Sequence, residues 1–239
     1  MVRFSPRPRG TDVDPRLSEY GGPDEGLSLL VWRFPEPMSM VSSAPLGGGL
    51  GRREWVINAQ VPHSYARLDP EVHLAQLASA RGLTGQGVGM LTAVDLRHLC
   101  REEDGGARVD VSVGITFPTW AAAPDEPVDG SGLDGPSADS SRPHRAGQPG
   151  TINIVGIVPE HLSPAALVNA VMSVTEAKAQ ALWDAGVLAT GTASDAVCIV
   201  CSDEGAAHPF GGPRSQWGAR LARAVHRAVL AGCSGGARA

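Results

Sequence analysis

Hydrophobic positions in the second half of the chain change period twice. Residues 151–159, TINIVGIVP, form a short, nearly continuous apolar run, the pattern of a strand covered on both faces. Ser163 and Pro164 then supply an N-cap and a first-turn proline for a helix over 163–185. At about 100° per residue, Leu167, Val171, Val174 and Leu182 fall on one stripe. Lys178 falls in the middle of that stripe and Thr175 at its edge, whereas Asn169, Glu176 and Gln180 point the other way. The loop TGTASDA follows, and then a second apolar run, DAVCIVC.

Elsewhere the pattern is that of short strands and two more helices. LSLLVWRF and PMSMVSSA read as two strands turned at Pro35–Pro37, and EWVINAQV as a third. Asp69 and Pro70 start a helix, as N-cap and first helical residue. Its apolar face is Val72, Leu74, Leu77 and Ala78, and Gly82 stops it. GVGMLTAV is a strand leading to Asp95, ARVDVSVGIT is another, and residues 214–231 close the fold with a helix on Trp217, Leu221, Val225 and Leu230. The order β-β-β-α-β-β-β-α-β-α is not a clean doubly wound alternation and predicts an α/β protein, a mixed sheet covered by helices. Residues 1–26 lack periodicity and read as a disordered leader. Residues 122–149, rich in Pro, Asp, Ser and Gly, read as a disordered insertion, and 233–239 as a tail. A single domain over 27–232 remains.

Composition narrows the class. Hydrophobic residues make up 42% of the 239, ample for a core. A net charge of −5 without a basic stripe argues against a nucleic-acid partner. No apolar run reaches about 18 residues and no secretory leader pattern is present, so a cytoplasmic protein without a membrane span is expected. Four cysteines do not make a disulfide framework at this length. Cys198 and Cys201 sit in an apolar strand with side chains on opposite faces, which suits small hydrophobes better than redox or zinc chemistry. The seven histidines are dispersed, and no metal site is predicted from them.

Candidate chemistry gathers around Lys178. A lysine facing a core is costly unless paired, and Asp195 at the mouth of a strand is its natural counter-ion; a stem lying along apolar surface with its ammonium in water is the alternative. Thr190, Gly191, Thr192, Ser194 and Asp195 crowd small polar groups beside it. Asp95, a carboxylate at a strand's C-terminal end, is a ligand contact, the N-cap of LRHLC, or both. The Gly47-Gly48-Gly49 turn lacks the Gly-Lys-Ser/Thr of a phosphate loop and suits close approach to a large ligand. Asn58 and Gln60 share one strand face and are able to read polar groups on a substrate, or to lie on a solvated edge.

In order, SSAPLGGGLG, NAQVPHSY, GMLTAVDLRHL, PGTINIVGIV, ALVNAVMSVTEAKAQAL and ATGTASDAV resemble the adenosylcobinamide amidohydrolase family. The resemblance runs from about Met38 to Val229 around the insertion, and its most specific pieces are ALVNA…TEAK and the TGT-x-x-DA loop. It implies hydrolysis of the amide joining the aminopropanol arm to the corrinoid ring, giving adenosylcobyric acid and 1-aminopropan-2-ol, in corrinoid salvage. It implies no cofactor beyond the cobalt of the substrate itself, a small-molecule corrinoid as partner, and leaves room for a homo-oligomer. Three positions depart from the family pattern: Ala193 and Ser194 replace the usual glycine and threonine, and Ala59 stands where a histidine is common. Amide hydrolysis needs a nucleophile or activated water, an acid for the amine and donors for the oxyanion. For such a reaction these roles are expected among Lys178, Asp195, Thr192, Thr175 and Asp95, with the Gly191 and Thr192 N–H groups as oxyanion donors. Substrate contacts fall to Gly47, Gly48, Gly49, Asn58, Gln60, Asn153, Asn169, Thr190 and Gly191. A corrinoid carrier without chemistry, and an amidohydrolase for another small amide, are the alternatives.

Overall fold

The computed structural model describes residues 11, 13–22, 26–123 and 150–235. Its elements are β1 (Arg16–Tyr20), β2 (Leu27–Ser42), β3 (Gly49–Gln60), α1 (Pro70–Ala80), β4 (Gly87–Thr92), β5 (Cys100–Asp104), β6 (Ala107–Gly114), β7 (Thr151–Val158), α2 (Pro164–Asp184), β8 (Ala196–Cys201) and α3 (Gln216–Gly235). The strands form one mixed sheet in the order β4-β3-β2-β8-β7-β6-β5, with β1 added beside β2. The pairs β3–β4 and β7–β8 are parallel and the others antiparallel. The predicted class therefore holds: a mixed sheet with helices upon it.

The long strand β2 sets the shape. Its register with β3 slips between Arg33 and Met38, across Phe34-Pro35-Glu36-Pro37. Proline has no N–H to give to a ladder, so pairing lapses there without ending the strand. The two strands expected around a turn are one bulged strand. Beyond the bulge β2 pairs with β8 through Ser39–Ser42, and the sheet bends into two wings that face each other. Leu30, Trp32, Met38, Met40, Val56 and Met90 pack there against Val155, Ile157, Cys198 and Val200. On the outer side of one wing, Val109, Ile152, Ile154 and Ile199 pack under α2 and α3. On the other, Trp55, Ile57 and Ala59 pack under Leu74 and Ala78 of α1. β7 is buried along its whole length because both of its faces meet a core.

Four further expectations are corrected. Arg16–Tyr20, inside the expected leader, pairs with Leu27–Val31 as β1; the rest of that leader lies largely outside the described residues. The sequence order gains a strand, β5, in the charged segment CREED. It is joined to β6 by a two-residue loop, Gly105 and Gly106, both at positive φ (54° and 92°), as a tight hairpin requires. Asp69 makes no cap bond to α1, because its carboxylate accepts from Arg67 Nε and a terminal guanidinium nitrogen at 2.9 and 2.7 Å. The closing helix runs to Gly235 and takes in the start of the expected tail. Residues 124–149 of the expected insertion lie outside the described residues. Among the described residues no helix is long and apolar enough to cross a membrane.

Candidate active site at the Gly191–Asp195 loop

α2 begins as its sequence dictates: Ser163 Oγ accepts from the Ala166 N–H at 3.1 Å and Pro164 opens the first turn. Leu167, Val174 and Leu182 enter the helix-side core with Val171 at its margin. Lys178 shares their face and is only 7% exposed. Its Nζ donates to Asp195 Oδ2, so the paired alternative, not the solvated stem, is realised. Asp195 Oδ2 also accepts from the Thr192 N–H at 3.1 Å, and Oδ1 accepts from Thr192 Oγ1 at 2.5 Å and from the Ile152 N–H at 2.9 Å. Four donors fill the acceptor sites of a carboxylate, and such extra bonds are what make a buried ion pair tolerable. The Gly191 backbone passes beside both charges. A second segment ties the loop down: the Thr119 N–H donates to Gly191 O at 2.8 Å, and Thr190 Oγ1 accepts from the Ala121 N–H at 2.8 Å.

Asp195 also borders a cavity of about 390 Å³ between the wings. One wall is Thr151, Ser194, Asp195 and Ala196, where β7 and β8 begin; Val61, Leu91 and Thr92 at the ends of β3 and β4 form another, with Tyr65 and prolines 45, 62 and 70 completing it. The size suits a small ligand or one arm of a larger one. Thr151 Oγ1 and Ser194 Oγ lie 2.7 Å apart, and Ser194 Oγ donates to Gly150 O at 3.1 Å. Tyr65 stacks on His73, with ring centroids 5.5 Å apart, and shares a 3.0 Å hydrogen bond with its Nδ1. Burial pushes the phenol up and holds the imidazole below its ordinary value. Thr151 had no place in the sequence reading. Its signal was parity, since it shares a face of β7 with Asn153 and Val155.

The other candidates are placed elsewhere. Thr175 is exposed, and its hydroxyl donates to Val171 O at 2.9 Å, within its own helix. Asp95 caps the 3-10 turn Leu96–His98 by accepting from the Arg97 N–H, and the Arg97 guanidinium, bound to it at 2.8–2.9 Å, holds its carboxyl below the ordinary value. Asn58 and Gln60 do share a face, turned inward. Asn58 Nδ2 donates to Ser112 Oγ at 3.1 Å and its Oδ1 accepts from Asn153 Nδ2 at 2.9 Å. Gln60 Oε1 accepts from Ser28 N and Oγ. Gly47, at φ +67°, lies against the Gly87 carbonyl and lines a separate cavity of about 450 Å³ with Arg53, Trp55 and Gln86; Gly48 and Gly49 continue that turn. Asn169 lies beside Gly212, two and a half turns along α2 from Lys178. Ala59 packs with Leu74 in the core under α1, on the side of the sheet away from the cavity between the wings. Among the described residues no group of three or more His, Cys, Asp or Glu could hold a metal ion.

A model of the adenosylcobinamide amidohydrolase family matches residues 18–236. An adenosylcobinamide amidohydrolase of Methanosarcina mazei is 29% identical over 199 residues, 80% of this chain and 88% of its own length. Another from Halobacterium salinarum is 30% identical over 207 residues, 84% and 83% of the two chains. The matched span takes in both wings, the Lys178–Asp195 pair and the cavity beside it. This chain belongs to the adenosylcobinamide amidohydrolase family, a family of hydrolases.

Proposed function

We propose that the protein hydrolyses the amide between the aminopropanol arm and the corrinoid ring of adenosylcobinamide, releasing adenosylcobyric acid and 1-aminopropan-2-ol for corrinoid salvage in the cytoplasm. The observation that carries this is the Asp195 carboxylate, charge-paired to buried Lys178 and set on the wall of a cavity, within a chain matched by the family from 18 to 236. A corrin macrocycle with its amide arms is larger than about 390 Å³. The arm therefore enters while the ring stays at the mouth, which brings the scissile amide beside Asp195. Water activation would require one of the four donors on that carboxylate to leave. Thr192, whose hydroxyl donates to Oδ1, does not line the cavity, so the group that Asp195 activates against an amide bound there is a water taking the place of one donor. Attack by the water oxygen on the amide carbon passes a proton to Asp195, which returns it to the nitrogen, so that the C–N bond breaks with the amine protonated and the carboxylic acid left on the ring. Lys178 balances the carboxylate's charge and fixes its direction.

The test is release of 1-aminopropan-2-ol from adenosylcobinamide by the purified protein and by variants. Asp195→Ala is expected to lower kcat by about 100-fold or more, and Thr192→Val, which removes one of the carboxylate's donors, by much less, with Thr192→Ser near wild type. Tight corrinoid binding without release of the amine would overturn the reading in favour of a carrier. Equal hydrolysis of simple amides would make the corrinoid incidental.

A further inference from the structure

We infer that Ser194 is a catalytic residue that donates a hydrogen bond to the scissile carbonyl, and that Thr151 positions it. The inference rests on the amide hydrolysis proposed above and concerns two side chains to which neither the ion pair nor the family's activity assigns a role. Both line the cavity that Asp195 borders, and Lys178 and Thr192 do not. A reacting carbonyl in that cavity therefore meets Ser194 and Thr151 on the same wall as the carboxylate.

The hydrogen-bond directions follow from the number of protons. Ser194 has one hydroxyl proton, and it is directed at Gly150 O at 3.1 Å. The 2.7 Å contact between the two hydroxyls is then donated by Thr151 Oγ1 and accepted by Ser194 Oγ. Thr151 is 3% exposed and its hydroxyl is committed; Ser194 is exposed and its donor rests on a backbone carbonyl at long range. Rotation about the Cβ–Oγ bond of Ser194 takes that proton from Gly150 O to a substrate carbonyl. Thr151 supplies a donor that polarises the serine hydroxyl and holds its oxygen in place. No bond is made or broken in this step. The hydrogen bond strengthens as the carbonyl oxygen gains negative charge, which lowers the barrier without tightening the ground state. The remaining wall is largely carbon, from Pro45, Val61, Pro62, Leu91 and Ala196. In such a setting one aimed donor counts for more than it would in water.

The experiment measures kcat and KM for release of 1-aminopropan-2-ol by the full chain, with wild type assayed first on adenosylcobinamide. No release by wild type refutes the function on which the inference depends, and the inference falls with it. With wild type active, Ser194→Ala is expected to lower kcat by about 100-fold, the loss typical of one oxyanion donor, with KM within about threefold and an unchanged thermal unfolding midpoint. Thr151→Val is expected to lose about tenfold, Thr151→Ser to restore most of it, and the double variant Ser194→Ala/Thr151→Val to be no slower than Ser194→Ala alone. Turnover of Ser194→Ala within threefold of wild type overturns the inference. So do losses that multiply in the double variant, because Thr151 would then act on its own.

Discussion

A methyl group at position 191 would stand 2.3 Å from Asp195 Oδ2 and 2.4 Å from Lys178 Nζ, closer than real Cβ atoms approach any neighbour. The constraint is of space alone, since Gly191 is not among the glycines at positive φ. Something must shift, and both neighbours are already committed: the amine to one carboxylate oxygen, the carboxylate to four donors. Gly191→Ala is therefore expected to push Asp195 off the Ile152 and Thr192 N–H groups and to displace the Ser194 segment with it. A displacement of about 1 Å at reacting groups costs on the order of 100-fold in rate. The loss should appear in kcat for amine release, with a lowered unfolding midpoint because the buried pair is loosened. Full activity in this variant would mean that the loop relaxes without moving the carboxylate.

At the scale of elements, β5 explains how a strand of charges is held. Glu102 and Asp104 face α3, where Arg223 grips Asp104 through two bonds of 2.9 and 2.6 Å and Arg227 reaches Glu102 at 3.0 Å. The Arg223 hydrogen bond, with Arg227 beside it, holds the Asp104 carboxyl below its ordinary value. A carboxyl depressed by folding contributes stability that is whole above its unfolded-chain value and is lost as the pH falls through the lower folded value. Asp104→Asn should thus lower the unfolding midpoint near neutral pH by roughly 1–2 °C, as suits a solvent-washed pair, and make progressively less difference as the pH falls below the ordinary carboxylate range and through the lower folded value. An equal shift at neutral and at acidic pH would assign the effect to packing. The same elements show what the sequence carried. Gly105-Gly106 between CREED and ARVDVSV is a two-residue hairpin signal masked by composition, because alternating charges do not look like a buried face. The position of Lys178 was legible, since the helical period fixes its stripe. Thr175 was not, since which margin of the stripe a neighbour covers is decided by α3 and β8. The parity of Cys198 and Cys201 was legible too: they enter different cores, and burial pushes their thiols up to about 12 and about 11.

At the scale of the whole molecule, the cavity exists because the sheet bends at β2, and nothing local in the chain announces that. Val61 and Thr151 are far apart in sequence and meet only when the wings close. Alternation showed that Asn58 and Gln60 share a face but could not say that this face looks at β6 and β7. The polar join between the wings is small and specific: Asn58 bridges Ser112 and Asn153, and Asn153 Nδ2 also donates to Leu91 O at 2.8 Å. All three side chains are at most 2% exposed. Leu91 lines the cavity, and Asn153 pairs in register with Ala196, another lining residue. The join therefore holds the cavity's width as well as the fold. Removing Asn58 takes a partner from Ser112 and from Asn153 together, and each buried group left unpaired costs about 1–3 kcal/mol. Asn58→Ala is expected to lower the unfolding free energy from urea titration by an amount in that range or above it, with the urea m-value unchanged because the same surface is exposed on unfolding. With the wings less tightly tied, KM for adenosylcobinamide should rise while kcat on bound substrate falls less, since Asp195, Ser194 and Thr151 stay on one wing with their own bonds intact. Asn58→Asp, which keeps the acceptor for Asn153, should recover part of the stability if that bond is the larger share. A variant as stable as wild type, with KM unmoved, would show that apolar packing between the wings alone sets their spacing.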